Sequence, residues 1–276
     1  MKKDELIKEA QDFLIHSADN LIGPEVALSK QIEGISIFDP PILGFGDSED
    51  TYFHLYQDPD IIGPDFLLPT QWLPQAQTVI SFFLPYSKEV RESNRIDPSV
   101  PSHGWLHGRI EGQHMVEQLC LHLQNKISEA GYDSVIPALD SRFQTFKNPP
   151  ASSLLYSSNW SERHAAFVCG LGTFGLSKGL ITKKGMAGRF GSLITTMHFP
   201  RDSRQYHDIY EYCSMCGACA KRCPAHAISL EHGKNHTLCS DFSNQTLAIY
   251  KPRYGCGKCQ VAVPCESSIP KIKALQ

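Results

Sequence analysis

Eight of the ten cysteines lie between Cys213 and Cys265, and their spacing is the most specific chemical signal in the chain. Cys213, Cys216, Cys219 and Cys223 form a C-x2-C-x2-C-x3-C run closed by Pro224. Two-residue gaps let a tight loop wrap three corners of a cubane iron–sulfur cluster. The fourth cysteine points away and serves a second cluster. The further thiols this requires are present: Cys239 alone, the pair Cys256 and Cys259, then Cys265. A crosswise assignment uses all eight, with Cys213, Cys216, Cys219 and Cys265 on one 4Fe-4S cluster and Cys223, Cys239, Cys256 and Cys259 on a second. Zinc also takes C-x2-C pairs, but a four-cysteine run followed by Pro is unusual for it. Cys120 and Cys169 read as buried hydrophobes. Two clusters pass single electrons, so the rest of the chain is expected to hold what they reduce.

The elements that must present this module are legible in outline. Leu6, Ile7, Ala10, Phe13 and Leu14 predict an amphipathic helix from Asp4 to about Ser17. Repeated Pro and Gly from Gly34 to Pro74 predict long loops with short elements, of the kind that line sites. Thr78–Leu84 predicts a buried strand ending at Pro85. Met115, Val116, Leu119, Leu123 and Ile127 mark a helix over 110–130, with Gly131 after it. Strands are expected at 134–136 and 189–198 and a helix at 161–168. Strands alternating with helices give an α/β domain over residues 1–205 and a small two-cluster ferredoxin-like domain over 206–276.

The chain has 276 residues, 41% hydrophobic and 20% charged, with a net charge of -3. That composition describes a folded protein and disfavours broad, charge-driven nucleic-acid binding. Residues 1–200 carry a balance of -7 and residues 201–276 one of +4. A mildly basic module suits anionic thiolate clusters. No apolar run approaches the roughly 20 residues of a membrane helix. No export signal follows Met1, so a cytoplasmic location is expected. No G-x-S-x-G elbow or H-E-x-x-H pair occurs, which disfavours serine hydrolase and zinc protease chemistry.

Gly170, Gly172 and Gly175 form G-x-G-x-x-G. A dinucleotide loop needs an acidic residue about 20 positions on, and none lies between Gly175 and Pro200. The glycines instead suggest close backbone approach to another bulky cofactor. Trp160-Ser-Glu-Arg-His-Ala-Ala-Phe-Val-Cys-Gly-Leu-Gly-Thr-Phe-Gly-Leu-Ser-Lys178, then Arg189-Phe-Gly-Ser192, then the cysteine module, resembles the epoxyqueuosine reductase family, which is related to the reductive dehalogenases. The order of motifs matches from about Thr78 to Cys265. The resemblance implies a cobalamin-binding α/β domain fused to a two-cluster module, in which the clusters reduce cob(II)alamin to cob(I)alamin. It places Gly170, Gly172, Gly175, Lys178, Gly191 and Ser192 beside the cofactor, with Arg163 and His164 at its amide rim or phosphate. It implies Asp140 as proton donor.

Three features depart from the family. Trp105 stands near the place of a pocket tyrosine, the segment 142–159 looks longer, and the helical-repeat extension carried by some members does not follow before Gln276. His103 and His107 bracket Trp105 in what reads as a glycine-containing loop. The expectation is a cobalamin-dependent iron–sulfur reductase of a small organic substrate, fed by a low-potential donor such as ferredoxin or flavodoxin. A tRNA substrate is expected to be unlikely. The alternatives are an electron-transfer protein serving a partner enzyme or its corrinoid, and epoxyqueuosine reduction in tRNA. Oligomeric state is not encoded in these patterns.

Overall fold

The computed structural model describes residues 1–149 and 154–271. Its most apolar segment, Thr78–Pro85, is a strand in which every residue is buried. This strand is β2 of a four-stranded sheet in the order β1-β2-β6-β3. The others are β1 (Ile42–Asp47), β3 (Ser134–Val135) and β6 (Gly188–Thr195). All three pairings are antiparallel, and Ser81 faces Gly44 on one side and Ser192 on the other. Ile80, Phe82 and Leu84 enter one core, while Val79 and Phe83 enter clusters on the opposite face. A strand covered on both faces has no use for polar alternation.

Helices α1 (Lys3–His16), α2 (Lys88–Ile96) and α3 (His103–Glu129) cover one face, with α1 and α2 resting on α3 and α3 on β6. On the other face, α4 (Glu162–Val168) packs on β2 and β6. Beside it sits an aromatic cluster of Phe53, Phe66, Trp72 and Trp160. A tight hairpin of β4 (Gly172–Phe174) and β5 (Leu180–Thr182) follows α4. This is the expected α/β architecture. The strand β1 lies within the stretch read as loops, where Gly44 and Gly46 masked a six-residue strand.

Helix α3 begins seven residues before the expected start. Ser102 Oγ accepts a hydrogen bond from Trp105 N at 3.2 Å and caps it. Gly104, Gly108 and Gly112 repeat every fourth residue along one face. A Cβ at Gly108 would overlap the Tyr86 ring, and one at Gly112 would come within 2.9 Å of Phe38. The glycines therefore lower helix propensity but allow close packing. His103 and His107 are consequently helical, not loop residues. His107 is fully buried: Leu28 N donates to its Nε2 at 3.1 Å, and its Nδ1 lies 3.0 Å from Glu111.

The cysteine-rich segment carries the short helix α5 (Ala218–Lys221) and α6 (His236–Tyr250). It is tied closely to the preceding half. Glu266, 4% exposed, pairs with Arg95 at 2.6 Å and Arg91 at 3.4 Å, both from α2. Arg253 pairs with Glu111 of α3. Met186 N donates to the Cys265 carbonyl at 2.9 Å. No helix among the described residues is long and apolar enough to cross a membrane.

Candidate redox site and cofactor cavity

Cys213, Cys216, Cys219 and Cys265 line one small cavity, a first nest, with Gly175, Met186 and Pro264, and no charged residue among the described residues contributes to its wall. Cys223, Cys239, Cys256 and Cys259 lie close enough to interact electrostatically and form a second nest. Cys265 feels the charges of Cys213, Cys219 and Cys216. In the second nest, Cys256 feels Cys259 and Cys223, and Cys259 feels Cys239 and Cys223. Cys219 also feels Cys259, which links the two nests. Burial, reinforced by neighbouring thiols, pushes Cys256 and Cys265 up to about 12 and Cys219 to about 11. Four thiolates can coexist in such a nest only when a cationic centre compensates them. Among the described residues no three His, Cys, Asp or Glu side chains converge on a single metal ion. The first nest surrounds a hole, which suits a polyatomic cluster. Backbone N–H groups of Leu176 and Ala227 already point at Cys213 Sγ (3.4 Å) and Cys223 Sγ (3.2 Å).

Gly257, between Cys256 and Cys259, has φ +65, and a Cβ there would overlap the indole of Trp105. Trp105, on α3, thus buttresses the second nest. Lys258, next to it, is fully buried.

A cavity of about 740 Å³ lies against this module. Its walls come from the short helix Thr51–Leu55 and the segment after it, the hairpin Thr145–Lys147 with Tyr156–Ser158, α4, and the start of α6. Tyr52, Tyr56, Phe167 and Phe174 give apolar faces, and Arg163, Lys178 and His236 give a polar, cationic rim. The Arg163 guanidinium donates to the Lys178 carbonyl and interacts electrostatically with Cys259. His236, one turn before Cys239, is lowered to about 4 by burial and by Lys178, Lys234 and Arg163. His164 falls to about 3, first through burial and then through Arg163. Its Nδ1 is 2.7 Å from Ser161 Oγ, and its ring packs on Tyr56 and Phe174. It is a neutral imidazole at physiological pH.

A second chamber of about 350 Å³ shares Ser158, Ser161 and Arg163 with the large cavity. Glu162 and Trp160 line it together with Cys120, Arg189 and Gly191. Burial raises the Glu162 carboxyl to about 7, with the Ser192 hydroxyl pulling it partly back. Glu162 Oε2 has no hydrogen-bond partner among the described residues. Ser192 Oγ accepts from Trp160 Nε1 at 2.9 Å.

Arg163, His164 and Lys178 lie on the cavity wall. The glycines mostly do not. Gly170 has φ +80 and ends α4, Gly172 leaves room for the Ile181 carbonyl across the β4–β5 hairpin, and Gly175 borders the first cysteine nest. Gly191 lines the side chamber, where a Cβ would overlap Phe82. Asp140 lines neither cavity, although Ala138 and Leu139 of the same turn reach the chamber. Arg142 grips the Asp140 carboxylate at 2.7 and 2.8 Å and holds it near 2, so in this arrangement it carries no proton to donate. Trp105 supports a nest and lines neither cavity. Cys120 and Cys169 are buried, as expected for hydrophobes. Sequence reading missed Glu162, whose place in the first turn of α4 is an ordinary one for an acidic residue. It also missed Lys258.

The family model described as a 4Fe-4S binding domain matches residues 206–229. No curated relative matches the chain by sequence. Several solved structures share its fold. An epoxyqueuosine reductase from Bacillus subtilis, with its catalytic loop swung out of the active site, is 18% identical. It aligns over 99% of this chain and 67% of its own, with a TM-score of 0.53. An epoxyqueuosine reductase with a tRNA stem loop is 18% identical over 96% of this chain and 65% of its own, TM-score 0.53. The catabolic reductive dehalogenase NpRdhA is 14% identical over 83% of this chain and 30% of its own, TM-score 0.51. The chain thus has the fold of epoxyqueuosine reductases and reductive dehalogenases and carries a 4Fe-4S binding domain.

Proposed function

We propose that the chain is a cobalamin-dependent iron–sulfur reductase of a small organic substrate, with residues 1–205 holding cofactor and substrate and 206–276 holding two 4Fe-4S clusters. The observation that carries this reading is the 740 Å³ cavity, whose wall residue Arg163 interacts electrostatically with Cys259 and whose wall residue His236 lies one turn before Cys239. Its residues fit cobalamin. Aromatic faces suit a macrocycle, and Arg163, Lys178 and His236 suit an amide rim and a phosphate. Cobalamin, when bound, supplies a low-potential reductant.

The chain's own residues do the rest. A donor such as ferredoxin or flavodoxin would deliver two single electrons, and clusters held by the cysteines of the two nests would carry them toward the cavity. Reductive cleavage of one substrate bond, R–X, takes those two electrons and one proton, giving R–H and releasing X⁻. Glu162, raised to about 7 and lining the side chamber, holds the proton below that pH, and solvent restores it afterwards. Asp140 takes that role only if the 137–142 turn swings inward and Arg142 releases it. A catalytic loop that swings is described for the B. subtilis enzyme. A second reading, favoured by the fold shared with a tRNA-bound epoxyqueuosine reductase, is epoxyqueuosine reduction on a tRNA. It requires steeply salt-dependent tRNA binding.

The test is an anaerobic titration of the cluster-loaded protein with cob(II)alamin, followed by cobalt EPR. Stoichiometric binding with a base-off spectrum supports the reading. A spectrum unchanged from free cofactor, with the clusters intact, rejects it in favour of an electron carrier.

A further inference from the structure

The two nests differ in their charged neighbours. Among the described residues, the wall of the first holds Leu176, Ile181, Met186, Val263 and Pro264 but no ionisable side chain other than its cysteines. Three cations lie near the second: Lys234 and Arg163 influence Cys259, and Lys258 stands between Cys256 and Cys259 in the chain.

Lys258 is the unusual member of this group. It is 0% exposed, as is Asn94 beside it. Its Nζ donates to the Asn94 carbonyl at 2.8 Å and to Asn94 Oδ1 at 2.9 Å. Asn94 Nδ2 in turn donates to the Cys256 carbonyl at 3.1 Å. Asp97 influences Lys258 at longer range, but Lys258 forms no salt bridge among the described residues. A buried ammonium held only by neutral oxygens is costly. A nearby anionic cluster offsets that cost, and the benefit grows when the cluster takes up an electron.

We infer that Lys258, fixed by Asn94, raises the reduction potential of the cluster in the second nest above that of the first, and so directs electrons from the first nest toward the cofactor cavity. The inference rests on the two-cluster reading. Lys258 acts as a positioning residue for charge and takes no part in bond making. Lys234 is half-buried and Arg163 exposed, where salt screens them, whereas a buried charge is screened much less.

The experiment is an EPR-monitored redox titration of the anaerobically reconstituted, cobalamin-free protein, with iron counted per chain. Wild type should hold about eight irons and show two resolved midpoint potentials. In Lys258→Met the upper potential should fall by at least tenfold in the reduction equilibrium, about 59 mV for one electron. The lower potential should stay in place, and Lys258→Arg should retain most of the splitting. If Lys258→Met shifts neither potential, or shifts both equally, the inference is wrong. If Lys258→Met fails to hold its second cluster, the salt dependence of wild type decides. A splitting that persists from low salt to 1 M supports a buried source, and one that collapses assigns it to surface charge and overturns the inference. About four irons per wild-type chain would defeat the two-cluster reading itself, and the inference with it.

Discussion

Replacing Glu162 with Gln removes a carboxyl while keeping its shape, and the consequences can be worked out with their sign. Burial raises this group from its ordinary 4.5 to about 7. The folded chain therefore holds the proton more tightly than the unfolded chain does. Below about pH 4.5 both states are protonated and the carboxyl imposes no penalty. As pH rises toward 7 the unfolded chain ionises first, and the native state loses stability relative to Glu162→Gln. Above 7 the folded carboxyl ionises too and the difference levels off at about 3 kcal/mol. Infrared difference spectra of the cluster-loaded proteins, wild type minus variant, should show a neutral carboxylic acid band at pH 6 that is lost with a midpoint near 7. Denaturant unfolding at pH 5 and pH 8 should show the variant gaining on wild type at the higher pH. The proton available for substrate reduction should fall about tenfold between pH 6 and pH 8, and the variant should lose about 10²-fold or more in rate. A carboxylate band already present at pH 6, or a stability difference that ignores pH, would refute the reasoning.

Cys216→Ser and Cys239→Ser should each lower iron from about eight to about four per chain, leaving different residual EPR signals. Gly257→Ala forces a Cβ into the Trp105 indole at a left-handed residue. Iron analysis should show the second cluster lost, and Trp105→Ala should destabilise the fold by about 3–5 kcal/mol in thermal or denaturant unfolding. Arg163→Gln should weaken cobalamin binding at least tenfold, about 1.4 kcal/mol, in the EPR titration while iron content stays unchanged.

The convergence of Cys213, Cys216, Cys219 and Cys265 on one cavity was legible because their spacing along the chain suits a shared cluster. The buried strand Thr78–Pro85 and the apolar stripe of α3 were legible because burial leaves a periodic mark. The start of α3 was not, since Gly104, Gly108 and Gly112 look like a loop until Tyr86 and Phe38 are seen filling the space they leave. The glycine loop at 170–175 was recognisable, but its use was not. Close approach of β5 and the end of α4 account for Gly172 and Gly170 without any cofactor. Glu162 and Lys258 are ordinary surface residue types. Only the elements folded around them turn one into a neutral acid and the other into a buried cation.

The interleaving of the two nests also constrains the order in which they can be completed. The first nest opens with Cys213 but closes with Cys265, after every ligand of the second has been made. During N- to C-terminal synthesis, the nest begun first is finished last. A chain cut between Cys259 and Cys265 would keep all four thiols of the second nest and leave the first with three of its four.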